Sequence, residues 1–254
     1  MPHLTRDGVR IAYDVHPGPA GETPLLLTHG FGASRAMWRP NIDALAAMRT
    51  VITWDMRGHG ETDSPDDQSL YSHALTVEDM VALLDACDVS VAAVGGLSLG
   101  GFMSLDFYRG HPDRVRCLLL FDTGPGFKKD ASRQGWNDYA DRMAERFETE
   151  GAAALSNSPE VARATADTRG LARAARGMLA QQNADVIRSL PDIKVPTLVL
   201  VGANDTGFLA AADYMAATVP NAEKVVVADA GHAANIDQPA AFNEAVTDFL
   251  KRHA

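Results

Sequence analysis

Three residues far apart in the chain, Ser98, Asp205 and His232, each fall just past a strand-like apolar run, and their types suit acyl transfer. Such chemistry needs a nucleophile, a base to take its proton, and an anion that orients the base and stabilises its charged form. Ser98 is the best marked of the three, at the centre of Gly96-Leu97-Ser98-Leu99-Gly100 with Gly95 and Gly101 outside. An apolar run, Val89 to Val94, precedes the motif, and a helix-permissive stretch, Phe102 to Arg109, follows it. Strand, tight turn and helix in that order fit a G-x-S-x-G nucleophile elbow. The turn is so sharp that a side chain two residues either side of the serine would strike its neighbours, hence the glycines. A helix starting just after Ser98 aims free N–H groups and its positive dipole end at the place where an oxyanion would develop.

Asp205 follows the strand-like run immediately before the one that presents His232, and the chain order Ser, Asp, His is the order that accompanies such an elbow. Asp122 also ends a strand-like run and is a second candidate acid. Three further histidines compete as bases. His29 reads as a structural residue that orders its own loop. His59, with Asp55 and Arg57, reads as part of a tight hydrogen-bonded loop. His111, just before Pro112, reads as a helix-end cap.

The elements that must hold these residues alternate between strand and helix. Residues 4 to 16 alternate in polarity around Asp7-Gly8, a hairpin signal. Continuous apolar runs at Pro24 to His29, Val51 to Asp55, Val115 to Phe121, Val195 to Gly202 and Lys224 to Ala228 suit strands covered on both faces. Helices are expected from Met37 to Met48 with Pro40 in the first turn, from about Thr76 to Asp85 with Thr76 and Asp79 as a cap, from Phe208 to Ala217, and from Asn235 to Arg252. From roughly Phe127 to Leu190 only Ala-, Arg-, Glu- and Met-rich helical stretches occur: Trp136 to Glu150, Ser158 to Thr168, Leu171 to Gln182 and a short tail. The expectation is an α/β fold, a mostly parallel twisted sheet with helices on both faces, with core residues 1–123 and 191–254 and a helical cap over 124–190 inserted after the sixth strand.

The bulk numbers exclude several function classes. At 254 residues the chain supports one large domain. A net charge of -10 with no basic cluster argues against nucleic-acid binding. No apolar run is long enough to cross a bilayer, and the first residues carry no apolar signal core, so the expectation is a cytoplasmic protein without membrane contact. Two cysteines, Cys87 and Cys117, in apolar surroundings fit buried thiols in a reducing compartment. No histidine or cysteine pair has ligand spacing, and no G-x-G-x-x-G or phosphate loop is present, so neither a metal nor a nucleotide cofactor is expected.

Taken together, His29-Gly30-Phe31-Gly32, Asp55-Met56-Arg57-Gly58-His59-Gly60, the elbow, Gly202-Ala203-Asn204-Asp205 and Gly231-His232 resemble the motifs of the α/β-hydrolase fold superfamily over essentially the full length. The similar branch includes small carboxylesterases, enol-lactonases, meta-cleavage-product C–C hydrolases, haloperoxidase-like esterases and haloalkane dehalogenases. The resemblance implies a Ser98, Asp205, His232 triad, with the backbone N–H groups of Phe31 and Leu99 as the oxyanion hole. It further implies an apolar pocket under the cap, formed by Phe127, Trp136, Tyr139, Met143, Phe147, Met178 and Leu179. Serine at the elbow, where haloalkane dehalogenases and epoxide hydrolases use aspartate, points to an acyl-enzyme. Many relatives carry a proline-containing segment after the triad acid, whereas Asp205 is followed by Thr206-Gly207-Phe208-Leu209-Ala210. The expected activity is cleavage of a small to medium hydrophobic ester by a monomer or homodimer. Hydrolysis of a lactone or a C–C bond with the same triad is the alternative, and a hydrolase-like ligand receptor the more distant one.

Overall fold

The computed structural model describes residues 2–155, 159–161 and 167–254. It opens with a hairpin of β1 (His3–Arg6) and β2 (Val9–His16), paired antiparallel. The turn between them has positive φ at both Asp7 (52°) and Gly8 (76°), the left-handed pair that lets two strands meet with their natural twist. β2 lies antiparallel to β4 (Val51–Trp54), and from β4 on the sheet is parallel. The remaining strands are β3 (Leu25–Thr28), β5 (Ala92–Leu97), β6 (Val115–Phe121), β7 (Thr197–Gly202) and β8 (Ala222–Val227). Among the described residues they make one sheet of eight strands in the order β1-β2-β4-β3-β5-β6-β7-β8.

The central strands are mostly apolar because both faces are covered. Leu26, Val94, Leu118, Leu120, Val199 and Val201 join one core, against α2 (His73–Ala86), α3 (Leu99–Gly110) and α7 (Leu209–Thr218). Leu25, Leu27, Ala93, Leu119, Leu198 and Leu200 join the other, against α1 (Arg39–Ala46) and α9 (Pro239–His253). Burying each large aliphatic side chain contributes about 1.5–3 kcal/mol, so these two cores fix which face each strand turns to which layer.

Several boundaries differ from those read in the sequence. β5 begins at Ala92 and runs through Gly95 and Gly96, where a strand over Val89 to Val94 was expected; Asp88, at φ 55°, turns the chain just before it. α2 starts at His73, capped by the Ser72 hydroxyl, which accepts from the Leu75 N–H at 3.1 Å. Asp79 is no cap: its carboxylate takes a bidentate pair of bonds from Arg57 at 2.7 and 2.8 Å, a stronger partner than a backbone amide. The expected C-terminal helix is two helices, α8 (Ala234–Asp237) and α9, broken at Gln238 because Pro239 is accommodated at a helix start.

Between β6 and β7 lie only helices among the described residues: α4 (Asp130–Glu150), α5 (Thr168–Ala174), a π turn over Ala175–Leu179 and α6 (Asp185–Ser189). The helix expected over Ser158 to Thr168 falls largely outside the described residues; α5 begins at its end. No described helix is long and apolar enough to cross a membrane.

Candidate active site

Ser98, Asp205, His232 and Asp122 sit at the C-terminal edge of the parallel sheet. β5 delivers Ser98, which has φ 54° and ψ −115°, and α3 begins at the next residue. A non-glycine residue in that region costs on the order of 1–3 kcal/mol. The surroundings hold it there: the Ser98 N–H donates to Phe121 O at 2.9 Å, and Ser98 O accepts from Thr123 Oγ1 at 2.6 Å and from the Phe102 N–H at 3.1 Å. A Cβ on Gly96 would lie 2.5 Å from the carbonyl carbon of Gly100 and from Thr28 O, so the turn closes only without one. Leu99 is the first residue of α3, which leaves its N–H outside the helix's own ladder of hydrogen bonds.

β7 and β8 deliver the other two groups. Asp205 N–H donates to Gly202 O at 3.1 Å in the turn that ends β7. His232 follows β8 across a turn with Asp229 at φ 56°, and the Gly231 N–H is held by Asp237 Oδ2 at 2.8 Å. Asp205 Oδ2 bonds His232 Nδ1 at 2.8 Å, which leaves Nε2 as the ring nitrogen for proton transfer. Burial would lower the His232 pKa, but the hydrogen bond and charge of Asp205, with Asp122 and Glu160 behind them, outweigh it and hold the value above 6.5. Phe208 stacks on the imidazole at 4.9 Å and 29°.

Asp122 is fully buried at φ 44° and accepts from the N–H of Gly202 at 2.7 Å and of Ala234 at 3.4 Å. It therefore ties the end of β7 to the chain just after His232, while Asp205 holds the imidazole. Burial pushes the Asp122 pKa up to about 7, against the lowering effect of those two N–H groups.

The other histidines are structural. His29 donates from Nδ1 to Gly30 O at 2.7 Å and accepts the Met56 N–H at Nε2 at 3.0 Å, which spends both nitrogens on the loop. Burial lowers its pKa to about 4. His59 is likewise buried, its pKa lowered to about 3, and its ring packs against His29 at 5.0 Å and edge-on to Phe31 at 5.6 Å. Phe31 follows Gly30 in a turn closed by the Ala33 N–H on Gly30 O at 3.1 Å. Asp55, paired with Arg35, also accepts the Arg35 N–H at 2.6 Å and the Glu61 N–H at 2.9 Å, which anchors the chain beyond that turn. His111 ends α3 and faces Glu78 at 3.6 Å.

Ser98 opens into a cavity of about 280 Å³, near the small end of ligand pockets. Its walls come from the elbow helix (Leu99, Phe102), the chain after β6 (Thr123 to Phe127), the helical layer (Trp136, Leu179, Gln181) and the chain after Asp205 (Gly207, Phe208, Ala211). Of the seven cap residues expected around the pocket, Phe127, Trp136 and Leu179 line it, and Tyr139, Met143, Phe147 and Met178 do not. The inner face of α4 is set by helical period, with Ala140, Ala144 and Phe147 buried; Tyr139 falls to one side of that face, 43% exposed, with its ring 5.4 Å from that of Trp136. Met143 and Phe147 pack among the cap helices, Phe147 reaching the Phe31 ring at 6.1 Å. Met178 is buried in the core, and its carbonyl accepts from His73 at 2.9 Å. Phe102 and Phe208 were legible in principle, one at i+4 from Ser98 and the other three residues past Asp205; Gln181 carried no sequence signal.

The alpha/beta hydrolase family model matches residues 25–245. A putative carbamate hydrolase of Caulobacter vibrioides is 30% identical, the match covering 97% of each chain. Among solved structures, a thermophilic esterase from Thermogutta terrifontis superposes with a TM-score of 0.85 at 27% identity over 99% of each chain. An enol-lactonase from Burkholderia xenovorans LB400 superposes with 0.83 at 25% identity, covering 98% of this chain and 100% of its own.

Proposed function

Because the chain belongs to the alpha/beta hydrolase family, we propose that it is a serine hydrolase that cleaves a carboxylic ester of a small to medium hydrophobic substrate. One observation carries the reading. The cavity that holds Ser98 is walled by Phe208, whose ring stacks on the imidazole that Asp205 holds by Nδ1. The nucleophile thus opens into an apolar pocket, one wall of which touches the candidate base.

In this reading His232 Nε2 takes the Ser98 proton as Oγ attacks the substrate carbonyl carbon. The oxyanion that forms accepts hydrogen bonds from the N–H groups of Phe31 and Leu99. The imidazolium, stabilised by Asp205, returns the proton to the departing alkoxide, and the alcohol leaves an acyl-enzyme on Ser98. Water, deprotonated by the same nitrogen, then attacks the acyl carbon; Ser98 regains its proton and the carboxylic acid departs. The likeness to an enol-lactonase supports a second substrate class for the same steps, a lactone whose leaving oxygen stays tethered to the acyl group.

The test is hydrolysis of p-nitrophenyl esters from acetate to octanoate, and of simple lactones, by the purified protein and by Ser98→Ala. The reading expects multiple turnovers by the native protein, lost by several orders of magnitude in the variant. Equal rates in the two proteins across both substrate classes would overturn it.

A further inference from the structure

Among the described residues that line the cavity beside Ser98, Thr123, Trp136 and Gln181 carry polar side-chain atoms. The Trp136 indole N–H is already donated to Leu179 O at 2.8 Å, and the Thr123 hydroxyl to Ser98 O at 2.6 Å. Gln181 remains. Its side chain lines the cavity and is only 7% exposed, and its buried Oε1 has no hydrogen-bond partner among the described residues. A buried amide oxygen without a donor is costly and is rarely left so without a reason.

The backbone of Gln181 is also held in place. The Gln181 N–H donates to Asn137 Oδ1 at 2.7 Å, and Asn137 Nδ2 donates back to Gln181 O at 2.9 Å, a reciprocal clamp from α4. Opposite, Gly126 stands at φ 87°, and a Cβ there would fall 2.7 Å from Oε1, so its absence makes room for the carboxamide. No lysine or arginine lines the cavity among the described residues, while Asp122 and Asp205 both bear on His232. Among the described residues a carboxylate on the substrate would find no countercharge here.

Resting on the serine hydrolase reading, we propose that Gln181 is a specificity-determining residue that reads an uncharged polar group on the substrate arm filling this cavity. The group is a ketone, amide or hydroxyl. A carboxamide offers a donor on one side and an acceptor on the other, and rotation by half a turn exchanges them, so it can pair with any of the three. The substrate is therefore a hydrophobic ester or lactone with one neutral hydrogen-bonding function away from the scissile carbonyl, rather than a plain alkyl ester or an anionic one.

The experiment compares matched esters within each protein preparation, so that the fraction of folded enzyme cancels. One pair, p-nitrophenyl hexanoate and 5-oxohexanoate, places the ketone in the acyl arm. A second, pentyl and 4-oxopentyl acetate followed by pH-stat, places it in the alcohol arm. Mono-p-nitrophenyl glutarate is the anionic analogue. The native protein should favour the ketone ester in one of the two pairs, and Gln181→Met should reduce that ratio roughly tenfold, the fold-change of one neutral hydrogen bond. The glutarate ester should be slower than the 5-oxohexanoate ester in the native protein. Ratios unchanged by Gln181→Met in both pairs, or a preference for the glutarate ester, would overturn the inference while leaving the hydrolase reading intact. Absence of any turnover that depends on Ser98 would instead overturn the reading on which it rests.

Discussion

The C-terminal edge of the sheet and the helices that cover it position their side chains by different means. At the sheet edge each candidate catalytic group sits within a few residues of a strand end, in a turn whose backbone is pinned by hydrogen bonds and, at Ser98 and Asp122, by positive φ. In the helical layer the position of a side chain depends on which face of a helix meets which neighbour. There Ala140, Ala144 and Phe147 serve packing, and only a few residues, Trp136 and Gln181 among them, reach the cavity. Local geometry fixes the chemistry, and long-range packing fixes the specificity.

Substitutions at the edge should therefore change the rate, and substitutions in the helical layer should change which substrate is preferred. The largest effect is expected for Ser98→Ala, with kcat/KM on p-nitrophenyl butyrate falling ~10⁴-fold or more. Asp205→Asn should come next, at about 10²–10⁴-fold, and its pH profile carries a sign. In the proposed mechanism the base is neutral His232, so the rate should rise as pH passes through a pKa that Asp205 holds above 6.5. Removing that charge should move the acid limb of kcat/KM to lower pH; an unmoved limb would mean that Asp205 is not the partner that matters.

Asp122→Asn should cost less than about tenfold in rate, because Asp122 bonds backbone amides rather than the imidazole. Its clearer effect is on stability. Between the ordinary carboxylate range and pH about 7, the folded protein keeps a proton on Asp122 that the unfolded chain has lost. The stability that Asp122 contributes therefore declines as pH rises through that window. The Tm of Asp122→Asn relative to the native protein should accordingly be higher at pH about 7.5 than at pH about 5. The smallest change in overall rate belongs to the helical layer. Trp136→Ala should shift the preferred acyl chain toward longer esters, whereas Tyr139→Ala, at an exposed position on α4, should leave the chain-length profile within about twofold of the native one at every length.

The same contrast explains what could be read from the chain. The positions of Ser98, Asp205 and His232 just past strand ends were legible because glycines, strand ends and chain order are short-range signals. The pairing of Asp205 with His232 then answered which of two acids holds the ring. The end of β5 was misread because Gly95 and Gly96 disfavour strand locally, yet the close approach of Leu119, Thr28 and Gly100 demands them there. Ser72 was passed over as a cap because Thr76 and Asp79 have the spacing of a capping pair, and Arg57, distant in sequence, claims Asp79. The pocket was the least legible part. An α4 residue such as Tyr139 looks the same in sequence as Trp136 until the direction of the cavity is known. Gln181 is placed by Asn137, 44 residues away in sequence.

The most direct test of the central claim is covalent trapping. The native protein would be treated with a p-nitrophenyl alkylphosphonate and followed by p-nitrophenol release, residual esterase activity and peptide mass spectrometry. The account predicts one equivalent of phosphonyl group on the peptide containing Ser98, gained in step with the loss of activity. Loss of activity with the label on another residue, or ester turnover that continues with Ser98 fully labelled, would contradict it.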